Sequence, residues 1–338
     1  MSNHETEMHR VAAPSRGRYA NSGNGQSLCP IDIGHAKHIA LIPPDTAFWA
    51  LVPKDRLIDT LSNPEFLSTC RRKTAQFAEE MHALRFGLKP SAVYFNATER
   101  CNLNCAYCYI PAKMRRSGKH MSARNIIDAL HRLKAYFDKT VPKGVKPQIV
   151  FHGAEPLLNR DAIFAAIEKY GRQFRFGIQT NATLLDGDAI TFLKTHGVGI
   201  GLSLDGHTAA ICDRTRATWK GIGIFDRVVK AMDDLRGYDS YNVICTITRK
   251  NVRHLTRIVE FFHAHEVPAC MLNIVRCTLP SSRDVKPSDQ TAAKHFIAAL
   301  DHTYELYRKT NRKLVVANFA NVLVSIIAPT ARRLMCDI

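Results

Sequence analysis

Cys101, Cys105 and Cys108 stand in the run Glu99-Arg100-Cys101-Asn102-Leu103-Asn104-Cys105-Ala106-Tyr107-Cys108, a Cys-x3-Cys-x2-Cys spacing. Three thiolates so placed can each take one iron of a [4Fe–4S] cube and leave the fourth iron without a protein ligand. An open iron is a place for chemistry, whereas a cube with four cysteine ligands is mostly an electron store. Two other readings stand beside this one. Zinc wants four ligands built from closely spaced pairs, and no second Cys or His pair follows nearby, although His120 could be recruited. Plain core thiols would sit on an apolar face, but Glu99, Arg100, Asn102 and Asn104 make this run polar.

Further polar runs follow at intervals: His152-Gly153-Ala154-Glu155-Pro156-Leu157-Leu158, Gln179-Thr180-Asn181-Ala182-Thr183, Ser203-Leu204-Asp205-Gly206, and Asp213-Arg214-Thr215-Arg216 before Gly221-Ile222-Gly223. With Tyr107 just ahead of the third cysteine, the chain resembles the radical S-adenosylmethionine (SAM) enzymes, in particular the branch that modifies peptides and proteins: sulfatase-maturing enzymes and maturases of ribosomally made peptides. The resemblance implies a [4Fe–4S] cluster on Cys101, Cys105 and Cys108, with SAM chelating the fourth iron. An electron from the cluster then cleaves SAM to methionine and a 5′-deoxyadenosyl radical, which takes a hydrogen from an unactivated substrate C–H bond. The cofactor carries that chemistry, and the protein orients it and excludes water.

The same resemblance implies site residues. Tyr107, Gly153, Ala154, Glu155, Asn181, Ser203 and Arg216 fall on the SAM side. Gly153 and Ala154 let backbone carbonyls approach the SAM amino group, and Glu155 fixes that loop or meets the ammonium. Asn181 and Ser203 are candidates for the ribose or carboxylate, and Arg216 for the carboxylate, since guanidinium forks suit carboxylates. Ala154 stands where the family usually has a second glycine, and alanine resists positive φ. Gln179, Asp205 and Cys277 are candidates for the substrate side, Asp205 as a proton acceptor. The expected partners are a peptide or protein substrate and an external electron donor such as flavodoxin or ferredoxin. Other readings are a radical SAM enzyme acting on a small molecule or RNA, and a non-catalytic iron–sulfur sensor or nucleic-acid-binding protein.

The chain has 338 residues, 46% of them hydrophobic, which is ample for one large core plus appendages. No apolar run reaches the roughly 18 residues of a membrane span, so no membrane contact is expected. Residues 1–25 are polar, without the apolar stretch of a signal peptide, and read as a disordered tail. The cluster thiolates must stay free, which argues for the reducing cytoplasm. The formal net charge of +17 asks for an anionic partner, such as an acidic leader peptide. No zinc-finger, helix-turn-helix or aromatic RNA-binding signature supports nucleic acid.

These residues need elements to position them. Residues 26–90 read as a small α+β region: apolar runs Ile39–Ile42 and Ala47–Val52 that can pair as a hairpin, then a helix over 64–84. It is expected either to help hold a substrate leader through an exposed strand edge near 39–52 or simply to cap the barrel. From residue 91 to 280, strands near 92–98, 147–152, 174–180, 198–204, 241–247 and 269–275 alternate with helices near 122–138, 159–171, 186–196, 221–236, 252–265 and 288–309. Six strand–helix units predict an open partial (β/α)6 barrel of parallel strands, with the motifs gathered at the strands' carboxyl ends. Cys212, Cys245 and Cys270 fall in apolar stretches and read as core residues. Residues 281–338 hold the last barrel helix and the start of a C-terminal extension. The resemblance implies that this extension would be cysteine-rich and is cut short here, with Cys336 near its first ligand position.

Overall fold

A computed structural model of the chain describes residues 20–21, 27–43, 48–87 and 89–328. Cys336 and most of the expected N-terminal tail lie outside the described residues, as does Ala47. The chain divides into two compact units, Lys89–Asn321 on one hand and Met1–Leu88 with Val322–Ile338 on the other.

The smaller unit contains a sheet of order β1-β2-β3-β4: β1 (Ala20–Asn21), β2 (Ser27–Ile31), β3 (His38–Ile42) and β4 (Ala50–Pro53), every pair antiparallel. Two helices follow, α1 (Leu57–Ser62) and α2 (Pro64–His82). Pro64 opens α2, and the Asn63 side chain caps it by accepting from the Phe66 N–H at 2.9 Å. Leu28, Ala40, Leu41, Val52 and Cys70 are its buried apolar residues among those described. The expected hairpin is present as β3–β4, but β3 is internal and only β4 presents an outer edge.

In the larger unit, strands and helices alternate: β5 (Ala92–Phe95), α3 (Ala112–Ser117), α4 (Ala123–Thr140), β6 (Gln148–Phe151), α5 (Arg160–Tyr170), β7 (Arg175–Thr180), α6 (Gly187–Thr195), β8 (Gly199–Ser203), α7 (Ala209–Cys212) and α8 (Phe225–Asp234). There follow β9 (Tyr241–Ile247), α9 (Leu255–Ala264), β10 (Ala269–Ile274), α10 (Pro280–Arg283), α11 (Asp289–Thr310), β11 (Val315–Val316) and α12 (Ala317–Ile327), whose residues from Val322 on count with the smaller unit. The sheet runs β11-β10-β9-β8-β7-β6-β5, with every pair parallel. Sequential strands are neighbours, so each connecting segment is a crossover and all carboxyl ends share one rim.

Alternation within the strands decides which side chains meet the helices. Ile149, Phe151, Ile178, Leu202, Val243 and Leu272 are buried in the core, which they share with helix residues such as Ile126 and Leu130 of α4 and Ile163 and Ile167 of α5. The spacing of the helix residues makes one apolar stripe per helix. The six expected parallel strands are all present. A seventh, β11, adds only two residues beside β10, too few to leave a period in the sequence. No helix among the described residues is long and apolar enough to cross a membrane.

Candidate active site

The cysteine loop leaves the carboxyl end of β5 and is held by backbone from elsewhere. The Cys101 N–H donates to the Arg115 carbonyl at 2.9 Å, the Asn104 N–H to Ala217 at 2.8 Å, and the Ala106 N–H to Thr215 at 2.9 Å. Arg115 is buried, donating Nε to the Ile110 carbonyl at 2.9 Å and Nη1 to the Leu103 carbonyl at 3.0 Å. The Trp219 indole N–H donates to the Cys101 carbonyl at 2.9 Å, and the Arg115 and Arg116 guanidinium groups lie 4.9 and 4.3 Å from its ring centre.

All three thiols are free and half-buried. Burial pushes the Cys101 thiol up to about 12 and the Cys105 thiol up as well. A loop that penalises naked thiolates favours them when cations lie between them. The Leu103 N–H (3.4 Å) and Asn181 Nδ2 (3.8 Å) already point at the Cys101 sulfur. Among the described residues no three His, Cys, Asp or Glu side chains close around a single-ion site; a cube spreads its thiolates over separate irons. The donor set therefore fits an iron–sulfur cube.

Glu155 staples the rim. It is fully buried; Oε1 accepts from Thr180 Oγ1 at 2.7 Å and the Leu157 N–H at 3.1 Å, and Oε2 accepts from the Asn181 N–H at 2.8 Å. Its own N–H donates to the Arg100 carbonyl at 2.9 Å. Burial pushes its carboxyl up, and the three donors oppose that shift. Just before it, Gly153 has φ +77°, and a Cβ there would sit 2.5 Å from Asn96 Oδ1, so only glycine fits. Ala154 takes φ +47°, the left-handed conformation that alanine resists, at a cost of about 1–2 kcal/mol. Asn181 donates Nδ2 to Asn102 Oδ1 at 2.8 Å, and Asn102 in turn donates to Thr183 Oγ1 at 2.7 Å. The β7 rim is thereby tied to the cysteine loop.

A second knot lies at the end of β8. Tyr107 Oη donates to Asp205 Oδ2 at 2.5 Å and accepts from Arg216 Nη1 at 2.5 Å, while Arg216 Nη1 lies 3.5 Å from Asp205 Oδ2. Burial pushes the Tyr107 phenol well up, so it keeps its proton and serves as donor. Asp205 Oδ1 accepts from the Thr246 N–H at 2.8 Å, and the Asp205 carbonyl accepts from Asn251 Nδ2 at 2.8 Å. With its carboxylate buried and engaged on both oxygens, Asp205 braces Tyr107 and Arg216, and Thr215 Oγ1 adds a long contact to Oδ2 at 3.5 Å. Arg216 Nε is buried without a partner.

Of the remaining expected residues, Ser203 closes β8 half-buried and Gln179 is half-buried one position before the end of β7. Cys277 is exposed beyond β10 and outside these networks. Arg115, Trp219, Thr180, Asn102, Thr246 and Asn251 are parts of the site that sequence reasoning misses. Trp219 had a signal, since it is one of only two tryptophans and follows the Arg216 motif.

The signature of the radical SAM superfamily matches residues 95–262, which contain every network just described. The chain belongs to the radical SAM superfamily. That superfamily is built on a [4Fe–4S] cluster and SAM. An uncharacterized protein of Archaeoglobus fulgidus is 36% identical over 297 residues, covering 88% of this chain and 66% of that one. The Fe-coproporphyrin III synthase of Methanosarcina barkeri is 28% identical (68% of this chain, 55% of that one). The cysteine-type anaerobic sulfatase-maturating enzyme of Clostridium perfringens is 25% identical (64% and 60%). The chain thus spans 55 to 66% of the length of these relatives. A solved structure of native anSMEcpe with bound AdoMet and Cp18Cys peptide superposes with a TM-score of 0.62 at 20% identity, covering 72% of this chain and 68% of that one. At that identity the likeness concerns the partial-barrel fold.

Proposed function

We propose that this radical SAM chain binds a [4Fe–4S] cluster through Cys101, Cys105 and Cys108 with SAM beside it, and removes a hydrogen atom from a peptide or protein side chain. Once bound, the cluster and SAM supply reductive cleavage of a sulfonium C–S bond and the hydrogen-abstracting species. The observation that carries this reading is the joint bracing of the cysteine loop by Glu155, Asn181 and the Tyr107–Asp205–Arg216 knot.

The chain's own residues bind and orient. The strained Gly153–Ala154 turn presents backbone carbonyls to the SAM ammonium, and Glu155 holds that turn against the ends of β5 and β7. Arg216 has Nη1 engaged on Tyr107, and its buried, unpartnered Nε is the donor left for the SAM carboxylate. Asn181 and Ser203 supply further polar contacts. An acidic electron donor of the flavodoxin or ferredoxin kind suits the net charge of +17. A small-molecule substrate is the second reading. It is favoured by the 28% identity to a synthase named for Fe-coproporphyrin III and by the same positive charge.

The test is anaerobic incubation of the reduced, iron-reconstituted protein with SAM. 5′-Deoxyadenosine is expected from wild type and is lost in Cys101→Ala, Cys105→Ala and Cys108→Ala. A reconstituted wild type that forms none, and whose spectrum ignores SAM, would sink the reading.

A further inference from the structure

The concave side of the sheet is chemically unlike the rest of the molecule. Gln179, Gly201 and Asn242 lie side by side in register across β7, β8 and β9. They occupy the strand positions that alternate with the buried core residues, and the two carboxamides are half-buried. A Cβ on Gly201 would lie 3.1 Å from Asn242 Oδ1 and 3.2 Å from Gln179 Cγ. Both side chains therefore lean toward the notch that the glycine leaves. Neither carboxamide has a hydrogen-bond partner among the described residues, nor has the hydroxyl of Ser203 one step nearer the rim.

Charge is almost absent from this face. Its positions in β5 to β10 carry no Asp, Glu or Lys, and one Arg, Arg175, which is exposed at the amino end of β7. His152, which continues the same face beyond β6 and lies edge-on to Tyr94 at 5.3 Å, is kept neutral by burial. A ligand that displaces water from two unpartnered carboxamides must return both a donor and an acceptor to each. A carboxylate would offer acceptors alone and would lose its hydration without meeting a counter-charge. A peptide main chain offers N–H and C=O in alternation and carries no charge.

We propose that Gln179 and Asn242 form a carboxamide pair across Gly201 that grips the main chain of the substrate, so that the part entering the barrel is an uncharged peptide segment and not a polycarboxylate. This rests on the peptide reading above and adds how the site selects its substrate class. The positive charge then serves partners outside the barrel.

The experiment uses the full chain reconstituted with iron and SAM, and saturation-transfer NMR with two probes: N-acetylalanine N-methylamide, a blocked peptide unit, and glutarate, a dicarboxylate. Wild type is expected to transfer saturation to the diamide and not to glutarate. Asn242→Leu, close in volume, is expected to cut the diamide signal at least fivefold at an unchanged melting temperature; if that variant fails to fold, Gln179→Leu carries the same comparison. Cluster absorbance and 5′-deoxyadenosine formation by wild type are read on the same sample. Their failure counts against the radical-enzyme reading, whereas the diamide comparison does not need turnover. Equal diamide transfer in wild type and folded variant, no diamide transfer in wild type, or glutarate displacing the diamide would each overturn the proposal.

Discussion

The buried pair Arg216–Asp205 is the residue-level contact on which the cysteine loop leans hardest. Asp205 is fully buried and Arg216 is 7% exposed, so neither charge is relieved by water. Arg216→Met would leave the Asp205 carboxylate buried against neutral donors only: the Tyr107 hydroxyl, the Thr246 N–H and, at 3.5 Å, the Thr215 hydroxyl. Breaking a buried pair from one side costs about 3–5 kcal/mol, mostly through the stranded charge. Urea denaturation should show that loss in Arg216→Met, and adding Asp205→Asn should recover part of it, because no charge is then stranded. A single variant as stable as wild type would show that the pair is not the brace described here. This arrangement explains the limits of the sequence at residue scale. Cys101, Gly153, Asn181 and Asp205 are legible because each type has a restricted use at a strand end. Arg115 is one of 47 lysines and arginines, and only the fold reveals that it is inside. Ala154 is legible as an anomaly, and its left-handed φ shows that the Glu155 staple imposes the turn that glycine would adopt freely.

At the scale of elements, the six main barrel strands and the helices between them are readable from their periods, whereas β1 and β11, two residues each, and also β2 and α12 emerge only in the structure. The edge of β4 is more informative than its length. The Lys54 N–H bonds the Lys37 carbonyl at 2.9 Å, and the register pairs Ile39 with Val52 and Ala40 with Leu51. Hydrogen-bonded and non-bonded pairs alternate in an antiparallel ladder. Leu51 and Pro53 thus fall in the phase whose backbone groups point outward, and Pro53 sits where its missing N–H costs no ladder bond. Leu51 offers a free N–H and C=O on an edge that no other described strand covers. If this edge takes up a peptide by strand addition, Leu51→Pro removes the one outward donor and spares the β3 ladder. A labelled peptide of alternating Val and Glu, acidic to suit the +17 charge, should bind wild type and lose most of its affinity for Leu51→Pro in a fluorescence-anisotropy titration. Equal binding by both proteins would assign residues 26–90 the capping role instead.

For the whole molecule, the decisive quantity is how many cubes the chain can hold. Ten cysteines are enough for two, yet their placement argues for one. Cys70, Cys212, Cys245 and Cys270 have no exposed surface, and burial pushes Cys212 and Cys270 up to about 12. Cys101 is raised as far, so protonation alone does not separate the two groups; access does. The three loop cysteines are half-buried on a polar turn, whereas the core thiols are packed like small apolar side chains and a cube beside them would have to displace that packing. Cys277 is exposed and Cys29 half-buried, and among the described residues neither joins two further His, Cys, Asp or Glu side chains in a metal-sized group. A cube needs three or four protein ligands, so iron analysis of the reconstituted chain should give about 4 atoms per chain. Cys105→Ala should bring that value near zero, and Cys270→Ala should leave it unchanged. About 8 atoms per chain would mean that Cys336, outside the described residues, recruits partners from among the thiols assigned here to the core.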